Sequence, residues 1–151
     1  MPQVPKPKKI IFRDTSEGRR RNMRANRSKN TKPELAIRSV LHSLGYRYRI
    51  HGADLPGKPD IVFVRRRKII EIYGCFWHGH GCTPLGQLPK SRREYWGPKI
   101  SGNRARDKCN VATLKLAGWK ILILWECEVR KGEARLLQRI RRFLGPQKIK
   151  Q

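Results

Sequence analysis

The sequence predicts an α/β fold in which helices flank a mixed β-sheet. Two observations point there. Apolar spacing runs helix, three strands, long loop, helix, strand, helix along the chain, an order that suits a sheet with helices packed on it. The length, 151 residues with no internal repeat, suits one domain with a core of its own.

Each element has a local reason. Residues 1–18 are polar, basic and proline-rich at the start, and predict a basic flexible arm. Residues 19–145 are expected to form the folded domain, its opening stretch RRRNMRANRSK suited to ordering on nucleic acid, and 146–151 a short tail. Thr31-Lys-Pro-Glu34 has the form of a capping box, with proline in the first helical turn where its missing N–H costs little. Leu35, Ile37, Val40, Leu41 and Leu44 supply the apolar face of that helix, and Gly45 its stop. Tyr46–Ile50 alternates as an edge or half-buried strand does. Leu55-Pro-Gly-Lys-Pro59 is a turn and Asp60–Val64 a short apolar strand. Arg65–Arg67 is a basic hairpin tip, and Lys68–Tyr73 returns from it with Ile69, Ile70 and Ile72. Residues 74–102, rich in glycine and proline, predict a loop. Asn103–Ala117 predicts a helix closed by Gly118. Trp119–Glu126 is apolar apart from one lysine and predicts a strand buried on both faces. Glu133–Leu144 predicts a last amphipathic helix built on Leu136, Leu137, Ile140 and Phe143.

The hydrophobic fraction, 38%, is low, and charge fills the deficit: 36 Lys+Arg against 11 Asp+Glu, a formal net charge of +25. That sign and size call for a polyanionic partner. Charge alone names no activity, since ribosomal and histone-like proteins are as basic and catalyse nothing. The start has no long apolar stretch and no small-residue cleavage site, and no apolar run approaches a spanning helix. The expectation is a cytoplasmic protein without a membrane partner. In that reducing compartment the four cysteines serve as metal ligands or free thiols rather than disulfides.

Carboxylates are scarce, so their positions carry information. Asp60 opens a strand after a Pro-Gly-Lys-Pro turn, and Glu71 lies eleven residues later in the returning strand. A hairpin brings two such positions together. Acids beside phosphate chemistry usually hold Mg²⁺, and in so basic a protein they would repel phosphate unless a cation intervened. Pro59-Asp60…Glu71-Ile72-Tyr73 follows the Pro-Asp…Glu-x-Lys spacing of a large nuclease superfamily up to the lysine. Cys75, His78, His80 and Cys82 fall within eight residues, among the glycines at 74, 79 and 81, and Cys127 ends a strand that could return to them. A closed structural zinc site needs four Cys or His ligands, and here five candidates stand in reach. Cys109, at helical spacing with Ala112 and Leu116, reads as core. Phe76, Trp77, Tyr95 and Trp96 sit in basic, glycine-rich surroundings, where planar side chains either stack on bases or pack over the metal loop.

Gly74-Cys-Phe-Trp-His78, followed by His80 and Cys82, resembles the very short patch repair (Vsr) endonucleases. The resemblance continues in the same order through Asn22-Met-Arg24, Ser28–Glu34, Leu55–Asp60, Tyr95-Trp96…Lys99-Ile100…Asn103…Arg106-Asp107 and Gly118-Trp119…Trp125-Glu-Cys127, covering about residues 20–132. It implies a restriction-endonuclease-like fold of the PD-(D/E)xK type with a structural zinc site. It implies an Mg²⁺-dependent DNA endonuclease that nicks one strand of duplex DNA 5′ to the thymine of a T:G mismatch, in very short patch repair. By position, Asp60 becomes the acidic Mg²⁺ ligand, aided by the main-chain carbonyl of Ile72. His78 becomes the base, Asp107 its partner and Glu34 a supporting acid. The Zn²⁺ ligands become Cys75, His80, Cys82 and Cys127, which leaves His78 free. Phe76, Trp77 and Trp96 become a wedge entering from the major groove, with Met23 its counterpart from the minor groove. Lys99 and Asn103 match positions that touch the mismatched bases. The implied protein is a bacterial, nucleoid-associated monomer whose partners are T:G-mismatched DNA and mismatch-repair proteins.

Two departures stand out. Tyr73 occupies a position where the family usually has a histidine or an acid, and Glu71 occupies the place of the superfamily's second acid. Two other readings compete: a related restriction-type or mobile-element nuclease indifferent to mismatches, and a zinc-stabilised nucleic-acid-binding protein without catalysis. Asp60, Glu71 and His78 weigh against the second, because a pure binder needs no acid at a basic surface.

Overall fold

A computed structural model describes residues 17, 18, 21, 28–83, 86–132 and 134–147. It divides into two units between Thr31 and Lys32. In the first, Glu17, Gly18 and Arg21 are helical; Met23 and nearly all of the expected arm lie outside the described residues. The sheet belongs to the second unit. Strands β1 (Arg49–Ile50), β2 (Ile61–Phe63), β3 (Lys68–Tyr73) and β4 (Lys120–Trp125) lie side by side in chain order. β1 with β2 and β2 with β3 are antiparallel, and β3 with β4 is parallel. The sheet is mixed, as the element order predicts. The parallel step needs a long crossover, and helix α2 (Arg93–Leu116) lies within it.

Helix α1 (Lys32–Ser43) begins at the proposed capping sequence and stops at Gly45, whose φ is +71°. The Tyr46 N–H reaches the Leu41 carbonyl at 3.0 Å and the Gly45 N–H reaches that of His42 at 2.8 Å, the bonding of a Schellman stop. Gly118, at φ +84°, ends α2 the same way, with Trp119 N–H to Leu114 and Gly118 N–H to Lys115. Alternation along the strands separates two faces. Ile61, Phe63, Ile70, Ile72 and Leu124 face Ile37 and Leu41 of α1 and Leu136, Ile140 and Leu144 of α4 (Ala134–Leu144). Val62 and Ile69 pack on the opposite side with Leu114 of α2 and Trp119.

Several expectations need correction. α2 starts at Arg93, not Asn103, although Gly97, Pro98 and Gly102 read as loop. Pro98 lies early in the helix, and Ile100, 5% exposed, is packed; tertiary contacts outweigh propensity here. β4 is an edge strand, so only Leu124 of it is buried, not both faces. Leu35 points outward because the buried face of α1 falls on Glu34, Ile37 and Leu41. Cys109 is exposed, not core. The strand at 46–50 shrinks to Arg49–Ile50. A short helix α3 (Glu126–Lys131), unforeseen, follows β4 directly; Glu128 folds back to accept the Trp125 N–H at 3.0 Å.

Cations at and beside the basic tip make contacts within the protein. Val64–Arg66 is a 3-10 turn and Arg67 is left-handed. Arg66 donates to the carbonyls of Leu144 and Pro146 at 2.8 and 2.9 Å, and Lys68 donates to that of Phe143 at 2.6 Å. Arg67 donates to the Ala117 carbonyl and covers the Trp119 ring at 4.5 Å. These cations stabilise helix C-termini, where carbonyls lack partners.

Candidate active site and metal centre

The site forms where β2 begins and where β3 and β4 end. The β2–β3 register pairs Ile61 with Ile70, so one step further sets Asp60 opposite Glu71. Alternation puts both carboxylates on the face covered by α2. One step beyond, Pro59 stands opposite Ile72 and has no N–H to give the Ile72 carbonyl. The Ile72 N–H instead donates to Asp60 Oδ2 at 2.8 Å. The Pro-Asp sequence thus ends the ladder, with Asp60, Glu71 and the Ile72 carbonyl near its end. Asp60 is half-buried and Glu71 is 9% exposed. Burial pushes the Asp60 carboxyl up to about 6, against the pull of the Ile72 N–H; the charge of Glu34 raises it further and Arg38 opposes. Burial pushes Glu71 up to about 8, and the charges of Asp60 and Asp107 add to the rise. Crowded acids on hard oxygen ligands fit a divalent cation such as Mg²⁺, which would relieve their repulsion.

Glu34 of α1 is buried at 3% exposure and accepts from Arg38 Nη2 at 3.0 Å. Arg38 also lies 3.5 Å from His51 Nε2, and the His51 N–H bonds the Asp60 carbonyl at 3.0 Å. Sequence reasoning missed Arg38 and His51. The i,i+4 spacing of Glu34 and Arg38 was the available signal for the first; the second had none.

Loop 74–82 supplies the rest. It turns tightly after β3, with the His78 N–H on the Gly74 carbonyl and the His80 N–H on that of Cys75. Gly79 sits at φ +63°, and a Cβ there would meet Ile100 at 2.8 Å and Arg104 at 2.9 Å, so the loop presses on α2. This approach brings His78 Nδ1 to 2.6 Å from Asp107 Oδ2. An ionised carboxylate only accepts, so Nδ1 carries the proton and Nε2 is left as an acceptor.

The ligand atoms of Cys75, His80, Cys82 and Cys127 all lie within 4.8 Å of one another. Ligands on a tetrahedral zinc stand roughly 3.3–3.8 Å apart, given bonds of about 2.0–2.3 Å. His80 Nδ1 and Cys127 Sγ are 3.5 Å apart, and the Cys127 N–H points to Cys75 Sγ at 3.4 Å. Burial pushes the Cys75 thiol up to about 12, so its thiolate needs a cation beside it. Three thiols and an imidazole at these separations fit Zn²⁺. Of the five candidates, His78 is the one turned away, onto Asp107.

Phe76, Trp77 and Trp96 form one half-buried cluster with edge-to-face contacts at 5.0–6.1 Å. Lys99 Nζ lies 5.6, 5.2 and 5.3 Å from the rings of Trp77, Tyr95 and Trp96. Asn103 Nδ2 donates to the Trp77 carbonyl at 2.9 Å. The expected base contacts, Lys99 and Asn103, therefore lie beside the aromatic cluster.

A family model described as DNA mismatch endonuclease Vsr matches residues 13–84, the stretch that holds Asp60, Glu71, His78 and three of the four clustered metal-type ligands. The type II nicking enzyme V.XorIIP of Xanthomonas oryzae pv. oryzae is 55% identical over 130 residues, 86% of this chain and 94% of that relative. The chain belongs to the Vsr family of DNA mismatch endonucleases. The type II nicking enzyme V.NmeAIP of Neisseria meningitidis is 41% identical, covering 78% of this chain and 82% of its own. The DNA mismatch endonuclease Vsr of Escherichia coli is 41% identical, over 76% of this chain and 73% of its own. Vsr membership makes this chain a DNA endonuclease, and its own structure supplies the mixed α/β fold and a Cys/His cluster able to hold a metal. Among the described residues no helix is long and apolar enough to cross a membrane.

Proposed function

We propose that this protein hydrolyses one strand of duplex DNA 5′ to the thymine of a T:G mismatch, in very short patch repair, on a PD-(D/E)xK-type scaffold. The observation that carries this reading is the 2.6 Å contact between His78 and Asp107 on the face that bears Asp60 and Glu71. A base, its orienting acid and paired metal-type acids are the groups that metal-assisted phosphodiester hydrolysis uses.

Asp60 and the Ile72 carbonyl, with Glu71, would hold Mg²⁺. When bound, Mg²⁺ supplies polarisation of the scissile phosphate and neutralises charge developing on its oxygens. His78 Nε2 takes a proton from the attacking water, and Asp107 stabilises the imidazolium that forms. Glu34, paired with Arg38, adds a charged acceptor beside Asp60. Zn²⁺ on Cys75, His80, Cys82 and Cys127 would staple the loop to the start of α3, which fixes His78 against α2. Phe76, Trp77 and Trp96 enter beside the mismatch from the major groove, Met23 from the minor groove, and Lys99 and Asn103 read the displaced pair. Opening a step next to a wobble pair costs less than opening a Watson–Crick step, so an aromatic wedge gains most there. The N-terminal arm adds phosphate contacts. The protein acts as a monomer and hands a nick to mismatch-repair proteins.

Duplexes labelled on each strand in turn, incubated with the zinc-loaded protein and Mg²⁺, test this. The expected product is a single nick 5′ to the mismatched thymine, lost in His78→Ala. Cutting of both strands, or equal cutting of a T:A duplex, contradicts it and favours a restriction-type nuclease.

A further inference from the structure

His78 and His80 stand two residues apart, yet one faces the acids and the other the cysteines. Each lies against an aromatic ring. Tyr73 and Trp125 are register partners at the ends of the parallel strands β3 and β4. Their rings meet edge to face, with centroids 5.4 Å apart at 81°. The His78 ring stacks on Tyr73 at 4.0 Å and 10°. The His80 ring stacks on Trp125 at 4.1 Å and 7°. The tight turn after Gly74 therefore lays two imidazoles flat on two neighbouring rings.

We propose that Tyr73 and Trp125 are positioning residues: an aromatic bridge that holds the imidazole of His78 at a fixed offset from His80 and the cysteine cluster. The inference rests on the reading of His78 as the base. The bond to Asp107 fixes Nδ1 but leaves the imidazole free to turn about that bond. A ring stacked on its face removes this freedom and aims Nε2. Trp125 does for His80 what Tyr73 does for His78, and the edge contact between them ties the two orientations together. This also accounts for a tyrosine at position 73: a flat ring is what the stack requires. The hydroxyl is secondary.

Displacement of a reacting group by about 1 Å costs on the order of 100-fold in rate. Single-turnover nicking and DNA affinity, measured separately on zinc-loaded variants, test the idea. Tyr73→Leu should lose ten- to roughly 100-fold in rate at unchanged DNA affinity and zinc stoichiometry, while Tyr73→Phe keeps most of the rate. Trp125→Leu should lose rate in the same way, and Trp125→Phe should recover it. Equal rates for Tyr73→Leu and wild type, or equal losses for the phenylalanine and leucine variants, overturn the bridge. The wild-type protein carries a test that no folding defect can spoil: the ring protons of His78, assigned with His78→Ala, should resonate upfield through the Tyr73 ring current. Unshifted protons overturn the stack. If His78→Ala itself nicks normally, the reading of His78 as base fails. If His78→Ala is dead and Tyr73→Leu is not, the bridge alone fails.

Discussion

Replacing Glu71 by glutamine should change how the magnesium-free protein responds to pH. Glu71 is 9% exposed and lies opposite Asp60. Its carboxyl would ionise near 4.5 in the unfolded chain and holds its proton up to about 8 in the folded one. A raised folded value means that the group's stabilising contribution is fully present below the unfolded value and is lost as pH rises through the folded value. Between the two the folded state carries the extra proton, and unfolding free energy falls by up to about 1.4 kcal/mol per pH unit. Asp60, raised to about 6, acts with the same sign in a lower window. From pH 6.5 to 7.5 Glu71 outweighs Asp60, and its share of the loss is about 1 kcal/mol. Urea unfolding of zinc-loaded protein measures it, without chelators that would strip the zinc. The wild type should lose stability across this interval, Glu71→Gln should lose clearly less, and Mg²⁺ should suppress the wild-type loss. Parallel pH curves for the two proteins would falsify the claim that Glu71 is a desolvated acid facing Asp60.

Other perturbations test other parts. Asp60→Asn should abolish nicking in an Mg²⁺ assay while leaving DNA binding intact or tighter, because a negative charge near phosphate is removed; nicking within a few-fold of wild type would sink Asp60 as the metal acid. Structural zinc contributes apparent folding free energy on the order of 10 kcal/mol in small domains, so Cys82→Ser should yield poorly folded protein, and elemental analysis finding no zinc in active protein would end that idea. Arg67→Ala should lower the unfolding midpoint, through its carbonyl and ring contacts, and leave the salt dependence of DNA binding unchanged; a slope reduced by about one unit would instead make it a phosphate contact.

What could be read from the sequence tracks how local each cause is. The two glycine stops, at Gly45 and Gly118, were legible because a Schellman turn is chemistry of a few adjacent residues. The hairpin pairing of Asp60 and Glu71 followed from strand length and turn position. The start of α2 did not, because Gly97 and Pro98 oppose a helix that Ile100 and the aromatic cluster stabilise from outside. The exposure of β4 was hidden for the same reason: an apolar strand reads as central until its place at the sheet edge is known. The arginines at 66 and 67 read as a charge run, yet their partners are carbonyls some 50 to 80 residues away. In the site, the residue types and their grouping were visible. The Arg38 and His51 contacts beside Asp60 were not, since a helix and the end of a strand meet there only in the fold, and neither was the stacking of His78 on Tyr73, which depends on the path of the turn after Gly74.

The most direct measurement is the ratio of single-turnover nicking rates on T:G and T:A duplexes of otherwise identical sequence, for the wild type and Trp77→Ala. Zinc content and thermal stability must match, because Trp77 lies inside the metal loop. Base–aromatic stacking is worth roughly 1–3 kcal/mol per ring, so removing Trp77 should cut the T:G preference by roughly 5- to 150-fold. The wild type should nick the T:G duplex strongly and the T:A duplex barely, with Trp77→Ala losing mainly the T:G rate. Equal wild-type rates on the two duplexes would contradict mismatch-directed cleavage.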